Sequence, residues 1–389
     1  MTRASLDADG LVTQAAEVTG LEDFGEPTWR EGLDRLVASL DDEARLSEVG
    51  VQVVTGDLLG YLTNRLSIVD WRRRHEEIAT GPVRAPLVIV GQPRTGTTIL
   101  YDLLAQDPAH RAPLTWEVDR PCPPPETATY ETDPRADEVQ AQLDLVAQLL
   151  PGLTAFHPLG ARLAQECVRM TAGDFRSMIF PTQYRVPSYA RWLLWEADMA
   201  PAYRWHRRYL QHLQSRHGGG RWLLKSPGHM WSLGALLAEY PDAILVQTHR
   251  DPLRVIASVS ALMAVLRRLA CDDPTVGEAA AEFAEYILEG LDRSVADRRR
   301  GIVPADRVVD VQLGAFVADP FATIRGIYER LGLELAPQAE QRMRAFLAAH
   351  PGDGGGQRYR FRDTGLDAAA LRERVREYQR YFDVPSEEI

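Results

Sequence analysis

Pro86-Leu87-Val88-Ile89-Val90-Gly91-Gln92-Pro93-Arg94-Thr95-Gly96-Thr97-Thr98 sets a short unbroken apolar run against a Gly/Pro loop, and the chain then turns helical through Leu104. An apolar run of this length bounded by turn residues reads as a parallel strand buried on both faces. A glycine-rich loop between such a strand and a helix aims backbone N–H groups and the positive end of the helix dipole at one point, which makes an anion site. Without a Cβ, the glycines let the backbone close around the anion. Gly91, Gly96 and Thr98 match the G-x-x-x-x-G-K-[ST] pattern of nucleotide-phosphate loops, but Thr97 stands where that pattern has its lysine. The fixed cation is Arg94, inside the loop. With Thr95, Gly96, Thr97 and Thr98, it makes a cradle suited to a smaller anion held without a metal.

Outward from this loop the texture alternates. Trp222-Leu223-Leu224 reads as a second strand, followed by a helix from about His229 to Tyr240, a Pro241-Asp242 turn and a third strand at Ile244-Leu245-Val246. Strand, helix and strand at this spacing form a unit with parallel strands. Val308-Val309-Asp310-Val311 predicts a further strand, and helical patterns fill 253–269, 276–297, 320–331 and 367–382. The fold class expected is α/β: a phosphate-loop parallel sheet flanked by helices, with a helical N-terminal region and a helical insertion. Residues 1–85 are expected to be helical, since Leu33, Leu36, Val37 and Leu40, and again Leu58, Leu59, Leu62 and Leu66, fall on single helix faces. Residues 86–335 form the α/β domain, whose insertion at about 110–215 is placed as an acceptor-side cap. Residues 336–389 form a helical arm packed on the same domain.

A second anion site is predicted at Val246-Gln247-Thr248-His249-Arg250-Asp251-Pro252. Arg250 there follows a parallel strand at its carboxyl end, where open α/β sheets bind ligands. Ser258, eight residues on, lies in the second turn of the next helix. A guanidinium and a hydroxyl so placed suit a phosphate; pairing of Arg250 with Asp251 is the structural alternative. Two such sites fit a nucleotide with anionic groups on both sides of its ribose.

Pro93-Arg94-Thr95-Gly96-Thr97-Thr98 resembles the 5′-phosphosulfate loop of the sulfotransferases that use 3′-phosphoadenosine-5′-phosphosulfate (PAPS), in particular their larger bacterial branch. The Arg250/Ser258 pair resembles that family's 3′-phosphate motif. Leu224-Lys225-Ser226-Pro227, Gly20-Leu21-Glu22-Asp23-Phe24-Gly25 and Tyr359 before Gly365-Leu366-Asp367 carry the likeness across most of the chain. The resemblance implies an α/β phosphate-loop fold, PAPS as donor and a hydroxyl or amine acceptor, without fixing which; no metal and a small-molecule, lipid or glycoside hydroxyl acceptor are expected. Two departures stand out. The cytosolic branch has lysine where this chain has Arg94, and its Arg-Lys-Gly loop has no literal copy here; Gly354-Gly355-Gly356-Gln357-Arg358 is assigned in its place, with Arg358 reaching the 3′-phosphate.

Transfer to a hydroxyl needs a group that takes its proton. Glu166, in the Gln-Glu-Cys stretch that resembles this branch's acidic motif, is the expected base, with His157 as the second candidate. Lys225, at the end of its strand, faces the rim of the two anion sites, to stabilise the transferring sulfonate or to sit near the acceptor; a plain ion-pair partner is the structural alternative. The aromatic-rich stretch from Tyr184 to Trp205 fits either an apolar acceptor channel or core, and core is the preferred reading.

Bulk composition narrows the alternatives. A net charge of −11, from 44 basic and 55 acidic residues, opposes broad contact with nucleic acid or anionic lipid. Cys122, Cys167 and Cys271 are too few and too dispersed for a disulfide framework or a zinc site. The start Met1-Thr-Arg-Ala-Ser lacks the apolar core of a signal peptide, and Leu145 to Ala161 is interrupted by Pro151, Gly152 and Pro158. A cytoplasmic protein without stable membrane insertion is expected. A phosphate-loop kinase or a catalytically inert nucleotide binder is the rival reading.

Overall fold

The computed structural model describes residues 6–150, 153, 158–350 and 359–389. It divides into two compact units: one of residues 1–83, 113–218 and 263–274, the other of 84–112, 219–262 and 275–389.

The second unit is built on a five-stranded parallel sheet: β1 (Leu87–Gly91), β2 (His110–Arg111), β3 (Arg221–Lys225), β4 (Ile244–His249) and β5 (Val308–Gln312), in the spatial order β2-β3-β1-β4-β5. Every residue of β1 is buried, because a parallel strand with neighbours on both sides and helices on both faces meets no water. The register sets Ile89 beside Lys225 on one side and Gly91 beside Thr248 on the other. The expected strands at 222–224, 244–246 and 308–311 are present and parallel. β3 and β4 are not neighbours, however, since β1 lies between them. The edge strand β2 escaped prediction: two residues carry no periodicity.

From β1 the chain continues toward the β2/β3 side of the sheet, whereas from β4 it continues toward β5. The connections therefore diverge between β1 and β4, the place where a crevice opens at the carboxyl ends of an open α/β sheet. The loops after these two strands carry Arg94 and Arg250.

Helix boundaries follow local chemistry. The expected helix from His229 to Tyr240 is a 3₁₀ turn, Pro227–Trp231, followed by the helix Leu233–Glu239. Ser226 caps the turn by accepting from the Gly228 N–H. The pattern at 367–382 resolves into two short helices, Ala368–Arg374 and Arg376–Phe382, the first capped by Asp367.

The first unit is helical. Ala8–Thr19, Trp29–Glu43 and Glu48–Arg74 form its N-terminal part. Asp7 and Ser47 accept N–H bonds at the starts of the first and third, which satisfies donors that a helix otherwise leaves open. Leu33, Leu36 and Leu40, then Leu58, Leu62 and Leu66, are wholly buried, while Leu59 sits at the margin of its stripe. Further helices run at Arg135–Leu149, Pro187–Trp195 and Ala200–Gln214. Tyr184, Tyr189, Trp192, Tyr203 and Trp205 are buried, so this aromatic stretch is core. No helix among the described residues is long and apolar enough to cross a membrane.

Candidate active site

The loop after β1 owes its shape to three backbone positions. Gly91 has φ +146°, and a Cβ there would stand 2.2 Å from Thr248 Oγ1 and 2.8 Å from the Thr248 carbonyl oxygen, so only glycine lets β1 and β4 pair this closely. Arg94 takes a left-handed φ of 68°, uncommon for a residue with a side chain. Gly96, at φ 89°, precedes the helix Thr97–Leu104.

The Thr95 hydroxyl donates to the Gln92 carbonyl at 2.6 Å and lies 2.6 Å from Thr248 Oγ1. Its side chain thus braces the loop against β4. Lys225, only 1% exposed at the end of β3, donates to Thr98 Oγ1 at 3.2 Å. The ammonium absent from position 97 is therefore supplied at the same helix N-terminus by the adjacent strand.

On the other side of β1 the two anion motifs meet. Arg94 Nε donates to Ser258 Oγ at 3.1 Å, and Arg250 Nη1 donates to the Arg94 carbonyl at 3.2 Å. Arg250 does not pair with Asp251. Its Nε and Nη2 bond the two carboxylate oxygens of Glu387 at 3.0 and 3.1 Å, and Asp251, buried, is held by Arg372 at 2.6 Å. Burial opposes the charge on Arg250, but bonds to Glu387 and Tyr359 outweigh it, and the net pKa shift is upward.

His249, the last residue of β4, is wholly enclosed. Its Nδ1 lies 2.7 Å from the Tyr378 hydroxyl and its Nε2 2.9 Å from Asp310 Oδ1. Burial lowers its pKa against the pull of Asp310. It fastens the helix Arg376–Phe382 to the strand end from which Arg250 projects.

Arg94, Thr95, Gly96, Thr97, Thr98, Lys225, Arg250 and Ser258 thus gather at the carboxyl ends of β1, β3 and β4. Glu166 belongs to the other unit, half-buried just before the helix Cys167–Thr171. Its N–H donates to the Gln165 side chain at 2.8 Å. One turn on, Arg169 clasps Asp119 at 2.8 Å. Nearby in the same unit, Asp57 accepts from the Tyr184 hydroxyl, and burial raises the pKa of its carboxyl. His157 and Arg358 lie outside the described residues.

Sequence reasoning missed Arg254, Arg372 and Glu387. Arg254 had a signal, since it stands one turn before Ser258 on the same face of the helix Pro252–Leu266. Glu387 had none, standing 137 residues from Arg250.

A glycine-bounded loop without a lysine lies against an arginine–serine pair at the carboxyl ends of a parallel sheet, and comparison with known proteins gives the family. The sequence profile of the sulfotransferase family matches residues 86–337. Sulfotransferase STF9 from Mycobacterium avium superposes with a TM-score of 0.88 at 33% identity, covering 100% of both chains. Sulfotransferase STF1 from Mycobacterium tuberculosis gives 0.84 at 31% identity, over 95% of this chain and 98% of that one. The omega-hydroxy-beta-dihydromenaquinone-9 sulfotransferase Stf3 of Mycobacterium bovis is 27% identical over 300 residues, 73% of this chain and 71% of its own length. The chain belongs to the sulfotransferase family and is a sulfotransferase.

Proposed function

We propose that the protein transfers the sulfuryl group of PAPS to a hydroxyl of a lipid-like small molecule by in-line displacement. The observation that carries this reading is the convergence of Arg94, Ser258 and Arg250 beside a loop whose lysine comes from β3. The loop N–H groups, with Thr97 and Thr98 at the helix start, bind the 5′-phosphosulfate. Arg250 and Ser258, joined by Arg358, bind the 3′-phosphate. A lipid-like acceptor is favoured by the likeness to Stf3, whose name gives an omega-hydroxylated dihydromenaquinone as its acceptor.

In the transfer step a bond forms between the acceptor oxygen and sulfur while the bond from sulfur to the 5′-phosphate oxygen breaks. The hydroxyl proton passes to the Glu166 carboxylate, with His157 as the second candidate. The leaving electron pair goes to the phosphate of 3′-phosphoadenosine-5′-phosphate (PAP). Positive groups fixed where charge gathers lower the barrier because they need no reorganisation as the reaction proceeds. Arg94 and Lys225 fill that role, on opposite sides of β1.

The test supplies labelled PAPS, or ATP in a parallel reaction, to the protein with an extract of hydroxylated lipids, and mass spectrometry seeks a product heavier by one SO₃. Sulfated product from PAPS alone is expected. Label transfer from ATP would identify a kinase, and PAPS binding without transfer would leave an inert binder.

A further inference from the structure

Arg254 and Ser258 lie one turn apart on the same face of the helix Pro252–Leu266, and Arg250, two residues before that helix, shares a carboxylate with Arg254. What faces the two arginines is a carboxylate of the protein itself. Glu387 gives both oxygens to Arg250 and lies 3.5 Å from Arg254 Nε through Oε2. That last distance is too long for a well-formed hydrogen bond, and among the described residues the buried Nε of Arg254 has no other hydrogen-bond partner. The Arg254 guanidinium lies over the Tyr359 ring at 5.2 Å. A two-oxygen monoanion therefore satisfies one guanidinium of a pair. A phosphate, with three terminal oxygens and a charge near −2, has the oxygens and charge to satisfy both and Ser258 as well.

The attachment of Glu387 suits an exchangeable side chain. Its N–H donates to Asp251 Oδ2 at 2.6 Å and its carbonyl accepts from Arg372 at 2.9 Å. Asp251, which also holds Arg372, is 1% exposed. The main chain is thus clipped to a buried anchor independently of the side chain, which is 36% exposed and can turn into water at small cost.

Resting on the PAPS reading above, we propose that the Glu387 carboxylate is a resident stand-in for the donor's 3′-phosphate, and that Arg254 is a further ligand of that phosphate. Donor binding is then an exchange in which a dianion replaces a monoanion on two guanidinium groups. Empty, the site keeps its arginines neutralised and aligned.

Calorimetric titration of the full chain with PAP, and with adenosine 5′-phosphosulfate, which has no 3′-phosphate, tests the exchange. Glu387→Gln removes the competing charge with little change of shape. It should bind PAP about tenfold more tightly than wild type, with affinity for adenosine 5′-phosphosulfate unchanged. Arg254→Gln should weaken PAP by about tenfold or more and likewise leave adenosine 5′-phosphosulfate unaffected. Equal or weaker PAP binding by Glu387→Gln, in a wild type that binds PAP, overturns the stand-in and leaves the donor reading in place. Absence of PAP binding from wild type and both variants overturns the donor reading itself.

Discussion

Two arginines, one in each unit, show how differently a folded chain can use the same side chain. Arg65, in the helical unit, is 1% exposed and enclosed by acceptors: it donates to the carbonyls of Phe24, Gly173 and Glu26 at 2.7, 2.9 and 2.9 Å, with Asp174 at 3.5 Å. Burial pulls its pKa down to about 10 even so. Arg94, in the sheet unit, stands at a strained left-handed position just past the carboxyl end of β1 and bonds the Ser258 hydroxyl. Arg65 ties three chain segments together and is shut off from solvent. The Arg94 contact to a neutral hydroxyl is weaker than one to an anion. A guanidinium enclosed among backbone carbonyls ties chain segments together, whereas one at a strand end links two loops of the sheet unit.

The sharpest way to break this contrast is to remove charge from the transfer site and ask whether stability notices. Glu166→Gln should lower turnover by about 10² to 10⁴, and Arg94→Ala by about 10² to 10³, with unfolding midpoints close to wild type. Wild-type rates on an identified acceptor would remove either residue from its role. Arg65→Met should do the reverse, costing about 3–5 kcal/mol of unfolding free energy by leaving the carbonyls of Phe24, Gly173 and Glu26 without their donor and Asp174 with one arginine, Arg176, in place of two. The folded fraction should keep its turnover number, and denaturant melts read beside active-site titration separate the two effects. Arg250→Ala should weaken PAP by about 1.5–3 kcal/mol, read by calorimetry, with a smaller change in turnover at saturating donor.

A pH series sharpens the comparison from the structural side. His206, wholly buried in the helical unit, has its pKa pushed by burial from an ordinary 6.5 to about 3. The folded state holds it neutral while the unfolded chain takes up a proton below 6.5. Its contribution is therefore present above that pH and lost as pH falls toward 3. By pH 5 the loss amounts to about 2 kcal/mol. His206→Phe should flatten the slope of stability between pH 6.5 and 5, and an unchanged slope would place the proton elsewhere.

What could be read in the chain itself were the features that act over a few residues. Leu87 to Val90 announce a buried strand because no water-facing side chain interrupts them, and the loop after them is legible because Gly91, Gly96 and Thr98 keep phosphate-loop spacing. Thr97 in place of lysine turned the reading away from ATP chemistry. Lys225 was legible as a strand-end cation, but not as the group that meets Thr98, since that meeting depends on β3 lying beside β1. The separation of β3 from β4 by β1 was equally hidden, because parallel strands can be inserted between others at no cost to their local pattern.

Sequence alone determined the parallel α/β class, the phosphate loop, the Arg250/Ser258 pair and the helical stripes, because each depends on periodicity or spacing within about a dozen residues. Tertiary structure decided that Arg94 reaches Ser258, that Thr95 braces β4, and that Glu387 rather than Asp251 sits on Arg250. Those contacts join residues 137 to 164 positions apart. Distance along the chain carries no record of such meetings; sheet order and chain packing bring the partners within the few ångströms over which hydrogen bonds act.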